Sequence, residues 1–205
     1  MTKPKEDRRA RERRERRKLL LEAAESVFGR KPYFEATMQE IAAEAQIGMQ
    51  GLYEHFPSKQ DLYESVIIYR MEEMKRIFEE FSKPLEDPIG LLREWSRIHA
   101  ERFISAPAFV PVFLREKVHH DWGIESKLGP VIKRNFKREE KRLATIIKTG
   151  IEKGLLKPSP VSYIRDLFVS CLGASLRYHL TVNSDEEVEQ CVRRAMESFI
   201  SGAGA

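Results

Sequence analysis

Between Met49 and His55 the chain reads MQGLYEH, and three of its side chains carry groups that tell one base edge from another. The Gln50 amide can bond adenine through two hydrogen bonds, the Glu54 carboxylate can accept from the cytosine amine, and the Met49 thioether can pack on a thymine methyl. With Gly51 among them, these four positions are the expected base readers. Glu54 is equally readable as a surface carboxylate that phosphate repels. A second chemistry sits at the start of the chain. Residues 1–18 hold ten Lys or Arg against four Asp or Glu, a net +6; the whole chain is +4, which leaves −2 for residues 19–205. Such an arm, with Arg14 and Arg17 as its expected contacts, attracts phosphate with an affinity that falls steeply with salt. The acid-first pairs Asp7–Arg11 and Glu12–Arg16 allow instead that it extends the first helix with a solvated face. Both hold if the arm is loose in the free protein and orders on DNA.

Base readers need a rigid element to carry them, and the flanking sequence supplies one. Thr37 and Glu40 form a T-x-x-E capping box, and Met38, Ile41, Ala42 and Ala45 follow at i, i+3, i+4 and i+7, one apolar face of a short helix. A second short helix spans about Met49 to His55, with Leu52 and Phe56 turned back to the first. Pro57-Ser58 ends it, and Ser58 with Asp61 caps the next. A preceding helix carries Leu20, Ala24, Val27 and Phe28 on one face and ends near Gly29. Two short helices at a steep angle form a helix-turn-helix, whose second helix fits the major groove.

The run LYEHFPSKQDL, Leu52 to Leu62, with LLLEAAESVFGRKPYFEATMQEIA, Leu19 to Ala42, resembles the TetR family of bacterial transcriptional regulators. The resemblance covers about a quarter of the chain. It implies phosphate contacts from Tyr53 and His55, and from Lys59, Thr37 and Gly48 at helix starts, where free amides suit an anion. It implies that the fourth helix links the DNA head to a regulatory body, that the last two helices pair across a homodimer, and that the body holds a small-molecule effector. The chain departs from the family pattern at four places. Gln46 stands where glycine is common, and a non-glycine at positive φ costs on the order of 1 kcal/mol. Gly48 replaces a hydroxyl cap, Gln50 a small residue and Gly51 a common Thr. With Gln46, Gly48 and Gly51 weakening it, the recognition helix is expected to be loosely held in the free protein, and since it carries no Lys or Arg the arm is expected to supply much of the affinity.

The remaining chain is helical in pattern, so the expected fold is all-α: an arm over 1–18, a helix-turn-helix head with a linking fourth helix over 19–82, and a ligand-binding and dimerisation body over 83–205. Periodicity predicts helices from Ser58 to about Phe81, Pro88 to Ser105, about Ile124 to Lys153, Val161 to Val182 and Asp185 to Ser201, the last opened by a capping box of Ser184 and Glu187. A short Pro-punctuated helix lies in APAFVPVFLREKVHH. Trp95, His99, Phe103, Phe113, Trp122, Phe136 and Tyr178 are the candidates to line the effector pocket, with ordinary core packing the alternative for each. Phe168, Leu172, Val188, Val192, Ala195 and Phe199 are the candidates for the dimer interface; periodicity alone does not separate that from an intrachain core. The expected partners are double-stranded DNA with a palindromic operator, a small effector and a second copy.

Other classes find little support. No apolar run reaches the length of a membrane span. The Arg-rich start lacks the apolar segment of a secretory signal, and two cysteines suit a reducing cytosol, so a cytoplasmic location is expected. No G-x-S-x-G, P-loop or G-x-G-x-x-G is present, so neither an enzyme nor a cofactor is expected. His119 and His120 diverge by about 100° on a helix and cannot share a metal as an i,i+4 pair would. A ligand-independent nucleoid or division-associated DNA binder of the same fold is the alternative function.

Overall fold

A computed structural model describes residues 5–80, 86–121 and 129–204. In order, the helices are α1 (Lys5–Arg30), α2 (Met38–Glu44), α3 (Met49–Tyr53), α4 (Lys59–Glu80), α5 (Pro88–Ser105), α6 (Phe109–Asp121), α7 (Pro130–Glu152), α8 (Val161–Thr181) and α9 (Val188–Ala203). The protein is all-α, and among the described residues the only extended pairing is an isolated bridge between Leu156 and Gly204. No described helix is long and apolar enough to cross a membrane.

The chain forms two compact units, Met1–Glu72 with Ala108–Ile132, and Glu73–Pro107 with Lys133–Ala205. They do not divide at residue 82. In the first unit Leu20, Ala24, Val27 and Phe28 of α1 are buried with Ile41 of α2, Leu52 and Phe56 around α3, and Leu62 and Val66 of α4. Helix α6, sequentially inside 83–205, belongs to this unit. Its Arg115 donates to the Phe28 carbonyl. The Tyr63 hydroxyl donates to the Glu116 carboxylate at 2.6 Å, and burial, then that hydrogen bond, drives the phenol far above its usual pKa. A β-carbon at Gly29 would run into the Ala108 carbonyl, so α6 approaches α1 where only glycine fits.

In the second unit Phe168 of α8 sits between Trp95 of α5, 5.4 Å between ring centroids, and Phe199 of α9, 5.2 Å. Phe168, Leu172, Val192, Ala195 and Phe199 are all buried inside the single chain, and Val188 is half-buried at the first turn of α9. Of the six positions expected at an interface, the five buried ones lie in an intrachain seam where α8, α9 and α5 turn apolar stripes towards one another, whereas Val188 keeps surface outside it. The Ser184–Glu187 capping box also does not form. Helix α9 opens at Val188 with Glu187 at its cap and no side-chain cap bond. Neighbouring Glu186 accepts from Arg194 at 2.7 and 2.5 Å, a charge-assisted pair that outweighs a neutral cap and draws the chain inward before the helix can start.

Helix α7 buries Phe136, Leu143 and Ile147. Glu139 falls on the same stripe, three residues after Phe136 and four before Leu143. Its Oε2 is buried without a hydrogen-bond partner, and burial pushes its carboxyl above the usual range against the pull of Arg138 and Arg142. A carboxyl raised on folding is protonated more readily in the native state, so stability falls as pH rises above the ordinary Glu range. Glu139→Met is therefore expected to raise Tm near pH 7.5 by about 2–4 °C, equivalent to roughly 1 kcal/mol. The gain should shrink towards pH 4 in circular-dichroism melts. An equal gain at both pH values would remove ionisation as its cause.

Candidate nucleic-acid interface

The helix-turn-helix is assembled from local devices. Thr37 is extended at φ −120°, ψ 153°. Its hydroxyl accepts from the Glu40 amide at 3.2 Å, and the Glu40 carboxylate accepts from the Thr37 amide at 2.9 Å. Lys31, 2.5 Å from Glu40, and then the Thr37 amide hold that carboxyl below its usual range. At the other end of α2, Gln46 takes φ 56°. Its amide donates to the Ala43 carbonyl at 3.1 Å and the Ile47 amide to the Ala42 carbonyl at 2.9 Å. This is the left-handed helix stop that glycine normally makes. Gly48 follows at the cap of α3 with no side-chain cap bond.

Helix α3 is anchored from one side. Leu52 and Phe56 are fully buried; Gln50, Tyr53 and Glu54 are exposed, and Met49 and Gly51 are half-buried. The Gln50 amide donates to the Glu54 carboxylate at 3.2 Å, so the two expected base-reading groups meet one turn apart on the solvent side. Thr37 and Gly48 are exposed at the starts of α2 and α3.

Two expected phosphate contacts have other engagements. The Lys59 ammonium donates to the Tyr33 and Ala36 carbonyls, each at 2.9 Å, and lies 4.5 Å from the Tyr33 ring centroid. It fastens the start of α4 to the loop that leads into Thr37. The Arg17 guanidinium donates to the His55 carbonyl at 3.2 Å and the Ser65 hydroxyl at 3.1 Å, and covers the Phe56 ring at 4.2 Å. Burial, then the Arg13 charge, lowers its pKa. The half-buried His55 imidazole is held below its ordinary value by burial first, then by Arg13, Arg17 and Arg16, which leaves it uncharged at neutral pH.

The arm is not a loose segment among the described residues: α1 runs without interruption from Lys5 to Arg30, and the first buried side chain on it is Leu20. The acid-first pairing expected of Glu12 with Arg16 is replaced by base-first pairs, Arg8 to Glu12 at 2.8 Å and Arg11 to Glu15 at 3.6 Å. The Asp7 side chain lies outside the described residues. Lys18 pairs with Glu22 at 3.6 Å. Arg9, Arg13, Arg14 and Arg16 are exposed. Sequence reasoning singled out Arg14 and passed over Arg9, Arg13 and Arg16, whose i, i+4, i+7 spacing was the available signal.

Of the candidate pocket residues, Trp95, His99 and Phe103 form one ring cluster, with the His99 and Phe103 centroids 6.2 Å apart. Trp95, His99, Phe103 and Phe136 are buried in the second unit. The His99 ring stacks on Trp95 with centroids 3.4 Å apart and its Nδ1 donates to the Trp95 carbonyl at 2.9 Å. Burial presses its pKa down to about 3, so it behaves as a neutral aromatic. Phe113 is half-buried beside Phe109 in the first unit. Tyr178 is exposed under the Arg194 guanidinium, 4.5 Å from its ring centroid. Trp122 lies outside the described residues. Among the described residues no His, Cys, Asp and Glu gather as a metal site.

Residues 20–66 match the family described as bacterial regulatory proteins, tetR family. The HTH-type transcriptional repressor NicS of Pseudomonas putida is 24% identical over 138 residues, which cover 67% of this chain and 64% of that protein's length. The ketosteroid transcriptional regulator KstR2 of Mycobacterium tuberculosis superposes with a TM-score of 0.75 at 19% identity, over 93% of this chain and 95% of that one. The TetR family transcriptional regulator PfmR of Thermus thermophilus superposes with a TM-score of 0.70 at 21% identity, over 89% and 97%.

The left-handed Gln46 gives a direct test of how the turn is held. Gln46→Gly is expected to stabilise the head by roughly 0.5–1 kcal/mol, the relief of backbone strain less the added freedom of the unfolded chain. Hydrogen exchange of the α2 and α3 amides should slow accordingly; unchanged or faster exchange would show that Gln46 bears no strain.

Proposed function

We propose that this chain, which belongs to the TetR family of bacterial regulatory proteins, represses transcription from a palindromic operator as a homodimer and leaves it when a small apolar or aromatic effector enters its body. The observation that carries the DNA-reading part is α3: a one-turn helix with Leu52 buried beneath it and Gln50, Tyr53 and Glu54 turned to solvent. Met49, Gln50, Gly51 and Glu54 read bases. Thr37, the Gly48 amide, Tyr53 and His55 meet phosphates and set the register. Lys59 and Arg17 serve from behind, by fixing the start of α4 and the end of α3.

So short a helix covers few base pairs, and a two-fold pair of heads reads two half-sites. Since Phe168, Leu172, Val192, Ala195 and Phe199 are spent inside the chain, the dimer must use the outward faces of α8 and α9, where Tyr163 and Tyr178 are exposed. Trp95, His99, Phe103 and Phe136 supply the aromatic, uncharged surroundings that favour an apolar effector. The effector acts by population shift: it favours a body arrangement in which α4 carries the head away from half-site spacing.

Fluorescence anisotropy with the duplex upstream of this protein's own gene, against a scrambled duplex at near-physiological salt, tests the reading. A preference of about a thousandfold or more is the mark of a sequence-specific regulator. Equal, salt-sensitive binding to both, repeated after selection from random duplexes, would replace it with an architectural DNA binder of the same fold. Gln50→Ala is expected to relax preference at one base pair by about 1–3 kcal/mol while non-specific binding stays unchanged. Uniform weakening on all sequences would remove Gln50 from base reading.

A further inference from the structure

We propose that the N-terminal extension of α1 and the end of α3 form a preset phosphate track, in which Arg9, Arg13 and Arg16 hold one strand of the DNA backbone. The inference rests on the DNA-binding reading above and says which cations carry its electrostatic part. A groove of about 620 Å³ lies between the α1 extension and the end of α3, and Arg9, Arg13 and Arg16 line it with Leu19, Glu54 and His55.

The sign of this groove follows from its ion pairs. Glu12 and Glu15 also line it, but their carboxylates are engaged by Arg8 and Arg11, and Glu54 accepts from Gln50. Arg17 and Lys18 are engaged as well. Among the described residues the three lining arginines make no ion pair, so an anion meets three uncommitted guanidiniums. Their seven-residue span rises about 10 Å along the helix axis, long enough to lie along a short stretch of one strand's phosphates. Arginine also suits phosphate by geometry, since its planar fork offers two parallel donors. The groove ends at Glu54 and His55, beside the base-reading positions, so a strand held there continues past α3. The wall is already helical and fastened at Arg17, so this contact needs no folding on binding and loses little to ordering.

Two triple variants of the full chain separate this track from diffuse charge. Arg9→Gln/Arg13→Gln/Arg16→Gln and, at exposed positions outside the groove, Lys133→Gln/Arg134→Gln/Lys137→Gln each remove three positive charges. Binding of one duplex is followed by anisotropy across a salt series, with far-ultraviolet circular dichroism before and after DNA. The first triple is expected to lower the slope of log K against log salt by about 3, and the second by less than about 1. Arg9→Lys/Arg13→Lys/Arg16→Lys should keep most of the slope, which ties the loss to charge at these positions rather than to helix content. Equal loss from both glutamine triples, or none from the first, would overturn the track and leave the regulator reading standing. A gain of helix on adding DNA would overturn its preset form. Absence of salt-dependent binding by the unmodified chain would remove the regulator reading and the track together.

Discussion

The DNA-facing half of this molecule depends on where one guanidinium goes. Arg17 closes on the His55 carbonyl, the Ser65 hydroxyl and the Phe56 ring, and so joins α1, the end of α3 and α4 at a single point. Before Leu20, α1 buries no described side chain, so nothing apolar fixes the direction in which its extension leaves the head. The clasp supplies that direction. An ammonium would not substitute for it, because a flat, delocalised cation can stack on a ring while its edge donates to two acceptors. The cost is that Arg17 is withdrawn from the phosphate-binding set to which its position in the basic arm would assign it.

The same head tolerates strain where it reads DNA. A helix of five residues has no stability of its own, since the nucleus costs more than one turn returns. Here α3 persists because Leu52 and Phe56 are buried and because the turn before it is held by two backbone hydrogen bonds around Gln46. Against this stand a left-handed Gln46, a cap at Gly48 with no side-chain bond, and Gly51 in the helix itself. A β-carbon at Gly51 would meet only the Ile47 side chain at ordinary contact distance, so packing does not require glycine there. The anchoring lies beneath α3 and the weak points lie on its exposed rim.

What the sequence disclosed, and what it hid, divides along the range of the forces involved. The Thr37–Glu40 capping box, the Ser58–Asp61 cap, the Asp87-Pro88 helix start and the break at Gly154 are interactions within a few residues, and each forms as the spacing implies. The Ser184–Glu187 box had the same spacing and failed, because Arg194 on the following helix offers Glu186 a stronger partner than any cap. Lys59 is the same lesson with opposite sign. A lysine at a helix start suits a phosphate, but the Tyr33 and Ala36 carbonyls converge on it from 26 and 23 residues away, and no local pattern announces them. The stripes of α8 and α9 were visible as stripes. Whether they face a partner or each other is decided by the tertiary fold, which turned them inward.

The charge of the arm shows how short-range pairing decides a long-range property. Ten cations and four carboxylates in the first 18 residues leave the net charge fixed, whichever pairs form. Which cations stay available depends on the pairs. Helical peptides favour an acid four residues before its base, and that order would have bound Glu12 to Arg16 and freed Arg8. The structure has the reverse order, Arg8 to Glu12 and Arg11 to Glu15. The pairs therefore engage Glu12 and Glu15 within the groove beside His55 and leave Arg9, Arg13 and Arg16 unpaired along it. Exposed pairs of this kind stabilise a helix by only a few tenths of a kcal/mol, so as stability they count for little. Their consequence is positional: by pairing Glu12 and Glu15, Arg8 and Arg11 leave Glu54 as the one groove carboxylate without a cationic partner among the described residues, against the charge of Arg9, Arg13 and Arg16.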